Sequence, residues 1–163
     1  MPSERVTGCS GMRKRNTLAR QKAQRTELLD PKIAEHHGRV MKTTGDGILI
    51  EFASVVDAVE CALAIQRAIP VMEESISEDR RIQYRIGINL GDVIDEEGDL
   101  FGTGVNIAAR LEALADPGGI CISRAARDQV RDLLDVALED MGEVEVKNIA
   151  RPVRVFRILT DGK

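Results

Sequence analysis

Lys42, Asp46, Asp99, Asn106 and Arg110 are the side chains of this sequence whose types and spacing could do chemistry. Asp46 stands between Gly45 and Gly47 in the stretch GRVMKTTGDGILIEF, with apolar residues on both sides. Glycines at those positions remove side-chain bulk, so a phosphate or a metal ion could approach the carboxylate. The same triplet supplies the positive φ angles of a tight β-hairpin turn, which is the plainer reading. Asn106 and Arg110, in GTGVNIAARLEAL, are spaced i, i+4 and share one helix face. An amide beside a guanidinium can hold a ribose and an anionic oxygen, because Arg is always charged and forks onto phosphate. An exposed Arg110 paired with Glu112, or with Asn106 itself, accounts for the same spacing without a ligand. Asp99 lies in an acidic loop with Asp95, Glu96 and Glu97 that leads into this helix.

The elements that must position these residues can be read from periodicity. Residues 1–15 show little pattern. A helix is expected from Asn16 through NTLARQKAQRTELL, interrupted or kinked by Pro31 and ending near His37, with Gly38 as its C-terminal cap. Strands at about 39–43 and 47–52 flank the Gly-Asp-Gly turn. SVVDAVECALAIQRAI reads as a helix capped by Ser54, with Val55, Val59, Ala62, Leu63 and Ile69 on one stripe. In RIQYRIGINLGDVI, Ile82, Tyr84, Ile86, Ile88 and Leu90 alternate with Gln83, Arg85 and Asn89, which predicts a strand with one buried face. A helix from about Gly104 to Leu114 follows, then a strand in GGICIS and a helix in SRAARDQVRDLL. Two or three strands are expected over 135–159. Helices alternating with strands, some in hairpins, predict an α/β sandwich on a mixed or antiparallel sheet.

Composition narrows the function classes. The chain has 163 residues, 43% hydrophobic and 31% charged, which suits one domain with a real core. A net charge of −4 argues against nucleic-acid binding. Cys9, Cys61 and Cys121 form no CxxC pair, which fits a reducing cytoplasm rather than a disulfide framework. No apolar run reaches membrane-spanning length, so no membrane insertion is expected. His36 and His37 are adjacent, a poor spacing for a shared metal on a helix. No Walker A sequence occurs.

The series MKTTGDG, GINLGDV and DLFGTGVNIAARLE, in this order and at these separations, resembles the catalytic domain of class III adenylate/guanylate cyclases. The closing GEVEVKNIARPVRVFRI is similar to that family's final segment. The resemblance implies an α+β fold with a ferredoxin-like βαββαβ core and a mixed, mainly antiparallel sheet over residues 16–163, with 1–15 a divergent segment. It also implies a head-to-tail homodimer with ATP sites at the interface, and conversion of ATP to 3′,5′-cyclic AMP and pyrophosphate. By that resemblance Asp46 is a ligand for Mg²⁺ or Mn²⁺, and Lys42 and Asp99 read adenine. An ammonium can donate to adenine N1 while a carboxylate accepts from the N6 amine, a pattern that guanine reverses. Asn106 and Arg110 match residues that orient the ribose and stabilise charge in the transition state. Lys147 matches a lysine on the triphosphate, and the backbone at Gly45 and Gly47 lies near the phosphates.

One family feature is missing. The first strand should carry a second metal aspartate a few residues before a Gly-aromatic-Ser/Thr motif. Gly8, Cys9 and Ser10 are the expected remnant of that motif, which puts Arg5 in the aspartate's place. A positive charge there would repel a cation. The expectation is therefore ATP binding with turnover low or absent, the alternative being an inactive regulatory or dimerisation module.

Overall fold

The computed structural model describes residues 5–12, 22–44, 47–77, 81–91, 103–146 and 151–159. Seven strands form one sheet in the order β2-β3-β1-β4-β5-β7-β6. In chain order they are β1 (Arg5–Met12), β2 (Gly38–Thr44), β3 (Gly47–Phe52), β4 (Tyr84–Gly91), β5 (Ile120–Ser123), β6 (Ala137–Val144) and β7 (Val153–Leu159). Only β4 and β5 pair in parallel; every other neighbouring pair is antiparallel. The helices are α1 (Asp30–Glu35), α2 (Val55–Met72), α3 (Thr103–Leu114) and α4 (Arg124–Val130). From β1 to β4 the order is the expected βαββαβ, and the sheet is mixed and mainly antiparallel.

α1 is preceded without a break by a helical segment whose residues Arg25–Leu29 take the wider π geometry. Pro31 explains this: it has no N–H, and its ring would crowd the carbonyl of Glu27 in a regular α-helix. The helix is thus kinked, not stopped. It ends at His37, whose φ of 65° takes the left-handed cap position expected for Gly38. Gly38 instead opens β2, and there a Cβ would lie 2.6 Å from the Phe52 ring and 2.9 Å from Ile33. Crowding, not capping, is why that residue is glycine.

Ser54 caps α2 as expected, its hydroxyl accepting from the Asp57 N–H at 3.1 Å. The predicted stripe is buried and packs with Ile48, Ile50, Phe52, Ile86, Ile88 and Ile158 in the main core. α1, α2 and α4 all lie on this face of the sheet.

α3 lies on the other face, across β4, β1 and β5. At Gly87 a Cβ would meet the Ala108 carbonyl and the Glu112 N–H, both at 2.4 Å. Leu111 and Ala115 of this region form a smaller core with Cys121 and Val155. β4 is therefore buried on both faces, against the expectation of one, and even Asn89 is only 4% exposed. Alternation had set Asn89 on the unburied face with Gln83 and Arg85, because an amide does not announce a helix packed on top of it. Over 135–159 the described residues form two strands, β6 and β7.

Candidate functional site

β1 has a poor strand sequence, RVTGCSGM, yet it is the middle of the sheet. It pairs with β3 from Val6↔Phe52 to Ser10↔Ile48, and with β4 from Arg5↔Gly91 to Met12↔Tyr84. Two neighbouring edges supply its backbone hydrogen bonds, which replaces the propensity it lacks.

That register sets how far Arg5 lies from the hairpin. In the β2–β3 hairpin, Thr44 pairs with Gly47, so only positions 45 and 46 separate the paired ends. On β1 the residues nearest this loop are Ser10, Gly11 and Met12, while Arg5 is at the far end beside Gly91. Seven residue steps of extended strand separate Arg5 from Met12, about 23 Å. In this register Arg5 is remote from Thr44 and Gly47, the ends of β2 and β3 that flank positions 45 and 46. β1 contains no Asp or Glu at any position.

Gly45, Asp46, Asp99 and Lys147 lie outside the described residues. Gly47 is the first residue of β3. Lys42 is in β2, where a bulge between Val40 and Lys42 skips Met41 and sets Lys42 opposite Leu49. The bulge changes which residue occupies that register position, since an unbroken strand would have put Met41 there. The Lys42 side chain itself is outside what the structure describes.

Asn106 and Arg110 are both exposed on α3, one turn apart, and face away from the buried row of Ala108, Leu111 and Ala115. Arg110 makes no ion pair or hydrogen bond with another described residue, so neither Glu112 nor Asn106 engages it there.

α3 connects the Gly91 end of β4 to β5, which runs parallel to β4 with Ile120 beside Ile86. The helix therefore returns toward the Tyr84 end, where the Gly118 N–H donates to the Tyr84 carbonyl at 2.8 Å. Asn106 stands toward the Gly91 end of β4, whereas the hairpin loop is at the Tyr84 end. One chain does not bring these two groups together.

Sequence reasoning missed Arg85. It is on the α3 face of β4, directly opposite Gly11 of β1 and one strand further from Gly47. Its side chain is half-buried, and its Nε is buried without a partner among the described residues. The backbone spacing from Gly47 across β1 to Arg85 is about 10 Å. The available signal was a charged side chain, the only one in the strand YRIGINLG. Arg85 is positioned by its neighbour on the other face. The Tyr84 hydroxyl donates to Gln24 Oε1 at 3.0 Å, Gln24 Nε2 donates to Glu73 Oε2 at 2.7 Å, and the Ile82 N–H donates to Glu73 Oε1 at 2.8 Å. Burial, with the Glu73 charge adding to it, pushes the Tyr84 hydroxyl up to about 12. This buried network pins the start of β4.

Comparison with known proteins gives a consistent result. The family model for the adenylate and guanylate cyclase catalytic domain matches residues 9–159. A protein described as putative adenylate cyclase 3 of Rhizobium meliloti is 52% identical over 130 residues, 80% of this chain and 22% of that protein. An adenylate cyclase of Streptomyces coelicolor is 31% identical over 99 residues, 60% of this chain and 24% of its own length. The chain thus spans less than a third of these curated relatives. Among solved structures, an adenylate/guanylate cyclase/hydrolase from Silicibacter pomeroyi is 43% identical with a TM-score of 0.91, covering 98% of each chain. The adenylyl cyclase CyaB of P. aeruginosa shares the fold at 20% identity and a TM-score of 0.80.

Proposed function

Since the chain belongs to the family of adenylate and guanylate cyclase catalytic domains, we propose that it binds ATP at a site shared between two copies, with low turnover. The observation that carries the shared site is the separation of the exposed Asn106 from the hairpin loop, toward opposite ends of β4. A head-to-tail pair of chains would place one chain's hairpin against the other chain's α3. In this reading Lys42 and Asp99 select adenine, and Asn106 and Arg110 hold the ribose and the charge on the reacting phosphate. Lys147, Arg85 and the backbone at Gly45 and Gly47 receive the triphosphate. The family reaction is in-line attack of the ribose 3′-hydroxyl on the α-phosphorus, with pyrophosphate leaving and cyclic AMP formed.

The donor set limits the metal chemistry. Among the described residues no group of three or more His, Cys, Asp or Glu side chains could hold a metal ion. β1 supplies no carboxylate, so Asp46 is the family's ligand that remains. When bound there, Mg²⁺ or Mn²⁺ would supply positive charge to the triphosphate. Two ions do not fit this set. Mg²⁺ also demands near-octahedral ligation, which one carboxylate provides poorly. The same absence favours a second reading, an ATP-binding regulatory or dimerisation module without turnover.

The experiment combines binding with turnover. Asp46→Ala and Arg110→Ala proteins, each weak in ATP binding, should recover binding when mixed, because each heterodimer then holds one intact site. No recovery despite demonstrated subunit exchange removes the shared site. Cyclic AMP formation with Mg²⁺ should be near background. Gly11→Asp, at the register position beside the hairpin, should raise it, whereas Arg5→Asp should not. ATP should compete better than GTP, each mismatched base contact costing about 1–3 kcal/mol. Equal affinity for both nucleotides removes the base-reading role of Lys42 and Asp99.

A further inference from the structure

A second concavity opens beside the start of β4, on the face opposite Arg85. It is a groove of about 400 Å³ between α2 and the turn before β5, lined by Gln66, Arg67, Pro70, Gln83, Pro117 and Gly118. Small-molecule sites typically fall in this size range and combine apolar walls with few polar groups. Its walls are prolines together with Ile69, and its charge is the Arg67 guanidinium. Arg67 is exposed and has no acid paired to it among the described residues. Gln66 holds the groove's shape: its Nε2 donates to the carbonyls of Tyr84 and Gly119, both at 3.0 Å. Its Oε1 accepts from no described residue. Gly118, at φ 81°, would meet only Gln83 Nε2 at 3.8 Å if it carried a Cβ, so the floor is open there.

We propose that this groove is a binding site for a small organic carboxylate with a flat or apolar body, separate from the nucleotide site. One unpaired guanidinium matches one carboxylate, to which it can donate two parallel N–H bonds. A triphosphate would bring several negative charges to a single cation. The proline walls suit a ring or a short apolar chain, and the carboxamide of Gln83 can bond its polar edge. The carboxylate can belong to a free aryl acid or to the C-terminus of a short peptide.

The test is an amide-resolved NMR titration of the full chain with benzoate, and in parallel with N-acetyl-phenylalanine and neutral benzamide. Benzoate should give saturable shifts at residues 66, 67, 69, 83 and 118, with a Kd on the order of 1 mM. Benzamide, and benzoate with Arg67→Gln, should each bind about tenfold more weakly. Tighter binding of N-acetyl-phenylalanine assigns the site to chain-terminal carboxylates; tighter benzoate assigns it to free acids. Shifts that fail to saturate for both acids overturn the proposal. So does benzamide binding as well as benzoate, or an unchanged affinity in Arg67→Gln. Arg67 is on the surface of α2, and the variant's unchanged spectrum away from the groove shows that it is folded.

Discussion

On one face of the sheet, Ile50, Phe52, Ile86 and Ile88 meet α1, α2 and α4 in a continuous apolar core. On the other face the same strands carry Arg39, Glu51, Arg85 and Asn89, and α3 covers them only in part. Arg39 donates to Glu51 across β2 and β3 at 3.0 Å, and that pair is the outer end of this polar face. A strand has two faces and a period of two, so one segment can serve both purposes. The division teaches where substitutions should register. Changes on the α2 face should cost stability, and changes on the α3 face should cost ligand binding, except where α3 itself is packed down.

The largest effect should come from Ile88→Ala, which empties a fully enclosed site in the main core and should destabilise by about 3–4 kcal/mol in urea unfolding. Gly87→Val tests the exception. Its side chain would drive into the α3 backbone, with an expected cost of about 3 kcal/mol. A cost below 1 kcal/mol would mean that α3 is not seated on β4 as described. Tyr84→Phe leaves Gln24 Oε1 without its buried donor and should cost about 1–2 kcal/mol. Arg85→Ala should change stability by less than 1 kcal/mol while weakening nucleotide binding about tenfold or more. If ATP affinity is unaltered, the face comparison fails at its centre. Smallest of all, Arg39→Ala breaks an exposed pair and should cost about 0.5 kcal/mol or less.

Alkaline pH separates the faces in another way. Burial raises the Cys61 thiol to about 12 and the Cys121 thiol to about 11, from 9.0 in each case. Tyr84 rises from 10.0 to about 12. These groups keep their protons to higher pH in the folded chain than in the unfolded one. Their contribution is thus complete below about pH 9 and lost as pH climbs from 9 to 12. Urea midpoints should fall across that window, and Cys61→Ala with Cys121→Ala should flatten its lower part. In the native protein at pH 8 both thiols should escape alkylation, as mapped by peptide mass.

Much of this architecture was legible in the sequence. The Ser54 cap and the apolar stripe announced α2, and the hairpin was written by two strand patterns around Gly-Asp-Gly. β1 was legible only through the family resemblance, because its stability comes from pairing on both sides and not from its own residues. Without its register, a three-residue motif gave no measure of how far Arg5 lies from the hairpin. His37 as the helix cap was hidden by the glycine after it, which the crowding of Phe52 requires. Arg85 read as a solvent-side residue until the sheet showed Gly11 beside it. For Asn106 and Arg110, spacing fixed their common face, but only the return of α3 along β4 placed Asn106 toward the Gly91 end.

The central seat of β1 also sets an order of events. It is the earliest strand in the sequence, yet its neighbours run from Gly47 to Phe52 and from Tyr84 to Gly91. On a growing chain the β2–β3 hairpin can form alone, but the slot beside β3 cannot close on both sides until β4 has been made. The pairing Arg5↔Gly91 closes a loop of more than eighty residues, a slow, non-local step. Until then one edge of β3 is unpaired and open to other chains. Refolding should therefore show an early hairpin signal and a later one from β1, resolved by pulsed hydrogen exchange at 6–10 and 48–52. Weakening β1 should slow the second phase and raise aggregation while leaving the first unchanged.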